Sequence, residues 1–415
     1  MMETVTEPVW MRNLRGQAQE RFRTMAWPTT AEEEWRRTDV SRLGLDSFVA
    51  GPQPKLACPR DADAGTSAGF VRFESSRCAE LALSPALRDS GVKLLPLDHA
   101  MEEMETPMHG LWQKAFEEAD NRFLVSHFAS FNHGVLLWIP AGLESKEPCF
   151  IDFAESGKGF QTAPHVAVFL GQGARASVVT RMGGAQDGEG LLCNAAVDLR
   201  LADAAGLTYC EVQEMGPRDI YVRHARAVVG RDASLHHVDA EFGGRFAKTR
   251  IDCSLDGAGA DARLDGVYYC GAGQHMDLRT VQNHRSPHAT SRAYYKGAVA
   301  SGGRSIFQGL IEVAEGAAGT DAYLTNRNLI LGETGRSDSI PTLRIGNNDV
   351  KCSHGSTTGK LSSEELFYLE SRGLSTLDAR EMLVIGYFED LLGSAPEGYR
   401  DQTLATIRGR FRRAA

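Results

Sequence analysis

The chain lacks most of the features that would classify it quickly. Its longest apolar runs, such as residues 134–142, fall far short of the roughly 20 residues that a membrane-spanning helix needs. It has no basic excess: 45 Lys and Arg stand against 54 Asp and Glu, a net charge of −9. That argues against nucleic acid as a main partner, because phosphate binding needs a basic surface. Eight cysteines are present but no C-x-x-C pair, so zinc ribbons and thioredoxin-type centres are excluded. H-E-x-x-H and G-x-S-x-G are both missing. "GSTTGKL" (355–361) is one residue short of a phosphate-binding loop and lacks its final hydroxyl. "GAGADARLDG" has Gly257 and Gly259 but not the third glycine of a dinucleotide site. The opening "MMETVTEPVW" carries early acids and no apolar stretch of the secretory kind, so the cytoplasm is the expected location. In that compartment the cysteines are expected as free thiols, most of them small core hydrophobes.

What is present falls into three zones: residues 1–145, 146–355 and 356–415. The first is mixed and mostly helical. "EPVWMRNLRGQAQERFRTMAWP" spaces its apolar residues helically and stops at Pro28. "TTAEEEWRRTDVSRL" reads as a second helix with Thr30 as N-cap. Residues 51–69, rich in Pro and Gly, read as a linker. Residues 101–119 are helical again, interrupted near Pro107.

The second zone is a series of short alternating strands with small residues at the corners. Corner alanines recur at Ala174, Ala205, Ala233 and Ala260, spaced by 31, 28 and 27 residues. Weaker corners follow at residues 301–303 and 316–319. A near-regular period without intervening helices means that each unit buries its face only by stacking on the next. The pattern favours a parallel β-helix or similar β-solenoid, with a β-sandwich as the alternative. Asp252, Asp256, Asp261, Asp265 and Asp277 could serve sugar chemistry in a solenoid groove, but Asp also suits corners, and they are read as corner residues.

The third zone is helical. Ser362 and Glu365 form a capping-box pattern, Gly373 closes that helix, and Ser375 opens another. The second helix has a broad apolar face that includes Leu377, Met382, Leu383, Ile385, Phe388, Leu391 and Leu392. It fits packing on its own domain or docking of a partner. Arg408, Arg410, Arg412 and Arg413 read as a solvated basic end. Just before this zone, Cys352 and His354 stand two apart. In a strand such residues share a face, and thiolate and imidazole both ligate iron–sulfur centres. Two ligands of about four make a weak motif taken alone. Cys352 also suits a buried filler, and His354 a loop or interface.

Residues 327–392 resemble the C-terminal signature of the SufB/SufD family. The parts come in the family's order: "NRNLIL", "P-x-L-x-I", "D-V-x-C-S-H-G-x-T-x-G", "FYLxSRG" and a helix ending near "GYFEDLL". "EEEWRRTDVSRL" (32–43) and "SFNHGVLLWIPAG" (130–142) are similar to upstream family segments. The resemblance implies a mainly β fold: a central right-handed parallel β-helix between N-terminal and C-terminal helical regions. It implies a non-catalytic scaffold for iron–sulfur cluster assembly in the SUF system. The partners would be a SufB-like homologue, joined through the β-helix, and the SufC ATPase, docked on the C-terminal helices. Whether the chain alone forms a homodimer is left open by the sequence. Two departures point to the SufD branch: Asn326 where SufB-like chains carry a cysteine, and "CSHG" where they carry an acid-rich "EHE". His354 then carries over as an iron or cluster ligand at the subunit interface, with Cys352 beside it. The cluster would be transient, with none tightly bound to the isolated chain. The family is also linked to reduced flavin in the full complex, though no flavin motif is visible. The rivals are a SufB-type chain carrying its own cluster and a β-helix polysaccharide lyase or hydrolase.

Overall fold

The computed structural model describes residues 7–51, 65, 67–131 and 133–414. Most of the expected linker, and Cys58, lie outside the described residues.

After the first helices the chain alternates between two sheets, so every second strand is a hydrogen-bonded neighbour. One sheet stacks Pro164–Leu170, Leu192–Leu201, Ile220–Val229, Phe246–Leu255, His275–His284, Arg304–Val313 and Arg336–Ile345. The other stacks Cys149–Glu155, Arg175–Gly184, Gly206–Glu214, Ser234–Glu241, Asp261–Cys270, Thr290–Val299, Thr320–Ile330 and Val350–Lys360. These pairs are parallel and in unbroken register, for example Leu201 on Val229 on Leu255 on His284 on Val313. Two strands and two corners make each turn of a parallel β-solenoid, so the sandwich alternative is set aside. The sheets reach past residues 146–355 at both ends. His133–Ile139 and Gly69–Glu74 extend them in parallel at the start, and antiparallel Lys93–Pro96 and Arg77–Leu83 finish them there.

The four corner alanines share one corner and are all buried. Each donates its N–H to the carbonyl three residues back. The residue before each takes left-handed backbone in Gly173, Ala204, Asp232 and Gly259. A larger side chain at the alanine would have no room inside this turn. Ala289 and Ala317 continue the buried column. The corner at 301–303 differs from its expected role: it belongs to the opposite corner, together with residues 271–274.

The helices are α1 (Val9–Thr24), α2 (Pro85–Asp89), α3 (Leu97–Glu103), α4 (Glu105–Glu117), α5 (Arg122–Ser130), α6 (Ser363–Ser371), α7 (Thr376–Leu392) and α8 (Glu397–Ala414). α1, α4 and α5 pack on the outer face of the first sheet through Leu136, Ala167 and Phe169. α7 and α8 pack on the outer face of the second sheet, over Val212, Val238, Val267 and Tyr269. Ser362 and Ser375 cap α6 and α7 by accepting from the amides of Glu365 and Asp378 at 3.2 and 3.1 Å. Gly373, at φ +93°, ends α6 as expected.

Four expectations need correction. The segment around Glu33 is not an α-helix capped by Thr30. It forms the short 3-10 turns Glu33–Trp35, Val40–Leu43 and Leu45–Ser47, because its side chains are committed to the first sheet. The break in residues 101–119 falls at Met104, while Pro107 sits in the first turn of α4, where its missing N–H costs nothing. The C-terminal arginines are not a free tail: they lie on α8, where Arg408, Arg412 and Arg413 are exposed as expected but two of them are paired. Arg408 meets Glu381 at 2.9 Å, Arg412 pairs with Glu381 and Asp378, and Arg410 lies over the Phe242 ring. Free thiols hold for Cys149, Cys193, Cys210, Cys253, Cys270 and Cys352, but Cys78, on the terminal hairpin outside the stacked turns, is disulfide-bonded. Burial pushes the thiols of Cys149, Cys253 and Cys270 up to about 12, as expected of inert core fillers. Among the described residues, no helix is long and apolar enough to cross a membrane.

Candidate functional site

The solenoid is open at its C-terminal end. Among the described residues, Val350–Lys360 pairs only with Thr320–Ile330, and Arg336–Ile345 only with Arg304–Val313. Each therefore presents a long edge of unpaired backbone groups. Pro341 suits this position, since proline is tolerated in sheets mainly on edge strands.

Cys352 and His354 lie on the terminal strand, in register with Ala322 and Leu324. Both of those partners are buried inside the solenoid, so the two candidate ligands continue inward-facing columns. Cys352 is half-buried against the core, while His354 is exposed because no further turn covers it. Burial raises the Cys352 thiol, and Asp321 raises it further, against a hydrogen bond with the Ala322 backbone. A metal would have to displace its proton to bind it as thiolate. Among the described residues, no group of three or more His, Cys, Asp or Glu is placed to hold a metal ion. The pair is thus a fraction of a site. "GSTTGK" runs extended along the same strand and forms no phosphate cradle.

Little in the strand alternation signals what fills the solenoid behind this end. Arg223 points inward and pairs with Asp239 through two bonds of 2.7 and 2.9 Å, and with Glu211 at 2.9 Å. Glu241 is 3.9 Å away. Tyr221 donates to Glu211 at 2.9 Å and Tyr295 to Asp239 at 3.1 Å. Burial raises Glu211 and Glu241 above the usual carboxylate range, more than Arg223 can offset. Burial also opposes the charge of Asp239, but Arg223 and His237 bring it below that range. Glycines make room for the rings. A Cβ on Gly266 would lie 2.1 Å from the Tyr295 ring, and one on Gly297 equally close to Tyr268. Nearer the open end, Asn328 donates to Asn326 at 2.7 Å, and Tyr268 donates to Asn328. Asn326 is fully buried. An inward polar residue looks like any outward one in a strand alternation, which is why the pattern hid them.

The five aspartates do not share one groove: Asp252 and Asp256 line an open pocket on the first sheet with Arg226, Arg250 and Arg285, and Asp261, Asp265 and Asp277 lie outside it. Asp252 bonds His224 and Arg250 at 2.8 and 2.9 Å on the first sheet. Asp277, on the same sheet, holds Lys248 at 3.0 Å and accepts from Thr38 at 2.5 Å. Asp265 bonds His236 at 2.9 Å on the other sheet. These three are strand residues with basic partners rather than corner residues. Asp256 stands at a corner and Asp261 opens a strand. The same surface explains the "EEEWRRTD" segment. Glu34 reaches Lys248 at 3.4 Å, Arg250 at 3.1 Å and Arg279 at 3.6 Å, and the Trp35 ring lies 4.4 Å from the Lys248 ammonium.

The apolar face of α7 divides. Val384, Phe388, Leu391 and Leu392 are buried on the second sheet. Lys296 anchors the helix by donating to the Tyr387 carbonyl at 2.6 Å. Leu377 and Met382 remain exposed, and α6 adds Phe367 and Tyr368, exposed by 73% and 57%.

A family model described as "SUF system FeS cluster assembly, SufBD core domain" matches residues 153–387. An iron–sulfur cluster assembly SufBD family protein of Mycobacterium tuberculosis is 30% identical over 298 residues, covering 69% of this chain and 73% of that one. The iron–sulfur cluster assembly protein SufD of Escherichia coli is 31% identical over 239 residues, covering 57% and 56%. SufB of Bacillus subtilis is 24% identical over 413 residues, covering 95% and 87%.

Proposed function

The chain belongs to the SufBD family of the SUF iron–sulfur cluster assembly system, and from this we propose that it is a SufD-type scaffold subunit without catalysis of its own. It acts in the cytoplasm with a SufB-like homologue and a SufC-type ATPase, which hydrolyses the nucleotide. The observation that carries the reading is a thiol–imidazole pair at an open solenoid end. A sister solenoid continuing the two exposed edges would supply the remaining donors by β-augmentation. The cluster, or its iron, is transient cargo at that seam, and reduced flavin enters only in the full complex. Asn326 supports the SufD branch: it is buried and bonded to Asn328, and it is not a sulfur acceptor. The ATPase docks on α6 and the exposed part of α7, where Phe367, Tyr368 and Met382 offer apolar contacts.

The test is reconstitution of the three-protein complex with His354→Ala. The expected result is an intact complex with a lower cluster yield; an unchanged yield removes His354 from the ligand set. The end-to-end match to a SufB favours a second reading, a SufB-type chain. That reading requires a stoichiometric brown chromophore on the purified chain alone. Without a partner, the same open edges would pair two copies of this chain.

A further inference from the structure

Three hydrogen bonds run in line through the seam between α5 and the first sheet. His127 Nδ1 lies 2.8 Å from the Asn194 carbonyl oxygen. His127 Nε2 lies 3.0 Å from His165 Nδ1, and His165 Nε2 lies 2.9 Å from an Asp198 carboxylate oxygen. His127, His165 and Asp198 are all buried. Both ends of the line are acceptors. A carbonyl cannot donate, and Asp198 also accepts from the Trp112 indole at 3.0 Å and from Arg226 at 2.9 Å. Burial opposes the Asp198 charge, but Arg226 and His165 hold its carboxyl well below the usual carboxylate range.

Each of the three bonds needs one proton, and two neutral imidazoles carry only two. We propose that the buried His127–His165 pair holds three ring protons, and that the third latches the N-terminal helices to the solenoid in a pH-dependent way. Without it, His127 Nε2 and His165 Nδ1 would set two lone pairs against each other at 3.0 Å. Burial, with His165 beside it, pushes His127 well below the ordinary histidine range. The Asp198 carboxylate, 2.9 Å from His165 Nε2, is the counter-charge for the third proton.

The charged groups around the pair are few. The sheet brings Asp198 and Arg226, and α4 brings the Trp112 indole. A small cavity beyond His127 is lined by Glu34, His224, Lys248 and Arg250. Phe131 stacks on His127 with centroids 5.3 Å apart, and Trp112 lies 4.8 Å from His165. The line therefore ties α4 and α5 to two strands of the solenoid. Because the folded chain holds a proton that an unfolded chain gives up near pH 6.5, the latch is complete below about that pH. It weakens as pH rises through the pair's own titration.

The experiment uses the full chain with ¹⁵N-labelled histidine rings, together with amide hydrogen exchange in α5. At neutral pH three of the four ring nitrogens should carry protons, and two after the pH is raised. Loss of the third should speed α5 exchange by about tenfold relative to solenoid amides, the worth of one hydrogen bond. In His127→Phe, which keeps the ring stacking, α5 exchange should no longer carry this pH dependence. Two ring protons at neutral pH would overturn the proposal. So would loss of the third proton without change in α5, or the same pH dependence in His127→Phe.

Discussion

Arg223 stands in an inward column otherwise built from Ala195, Thr249, Leu278 and Phe307. One guanidinium faces three carboxylates there, so the interior carries more acid than it can neutralise by pairing. Burial raises Glu241 well above the usual carboxylate range and its Oε2 has no hydrogen-bond partner, so we expect it to be the group that keeps a proton. An unfolded chain releases that proton near pH 4.3, and the folded one holds it to higher pH. Stability should therefore fall as pH rises from that value, by at most about 1.4 kcal/mol per pH unit, and level off above the folded titration. Urea midpoints across this range should show the slope, and Glu241→Gln, a mimic of the protonated acid, should flatten it. An equal slope in the variant would assign the proton elsewhere. Gly297 tests the packing beside it: Gly297→Ala drives a Cβ into the Tyr268 ring and should cost about 1–3 kcal/mol in chemical denaturation. At this scale the sequence was legible where residue types carry chemistry of their own, as in Cys352 and His354. It was silent on Arg223 and Glu241, because nothing in a strand's alternation says which face is enclosed by a second sheet.

Among the elements, the corners were readable because they impose a steric rule. Ala174, Ala205, Ala233 and Ala260 repeat since nothing larger fits the turn, whereas Ala289 was masked by the unlike corner "RSPHA". The helix expected after Thr30 failed for the opposite reason. Its acids at residues 32–34 suit a first helical turn, but ion pairs from Glu34 to Lys248 and Arg250 fix a different backbone. α6 and α7 were placed correctly by Ser362, Gly373 and Ser375, yet only the structure divides the apolar face into a packed half and a free one. The free part yields a prediction. Phe367→Ser with Tyr368→Ser should leave the melting temperature within experimental scatter, since both side chains face solvent. The pair should weaken capture of the ATPase subunit by tenfold or more, as loss of an aromatic anchor commonly costs about 2 kcal/mol. Undiminished capture would place the docking surface elsewhere.

For the molecule as a whole, the two ends of the solenoid are unlike. Antiparallel strands finish both sheets at the start, while Arg336–Ile345 and Val350–Lys360 end in open edges with Leu343 and Ile345 exposed. Such edges are liabilities unless something covers them. The candidate ligands stand on this end, so assembly and cluster chemistry converge on one surface. The solenoid itself could be anticipated from its period, but its open end could not. The direct measurement is electron–nuclear double resonance on the reduced cluster of the reconstituted complex, with ¹⁵N-histidine placed in this subunit alone. The account predicts a strongly coupled ¹⁵N that disappears in His354→Ala, and no stoichiometric cluster on the isolated chain. A cluster held fully by this chain alone, or one in the complex without ¹⁵N coupling, would contradict it.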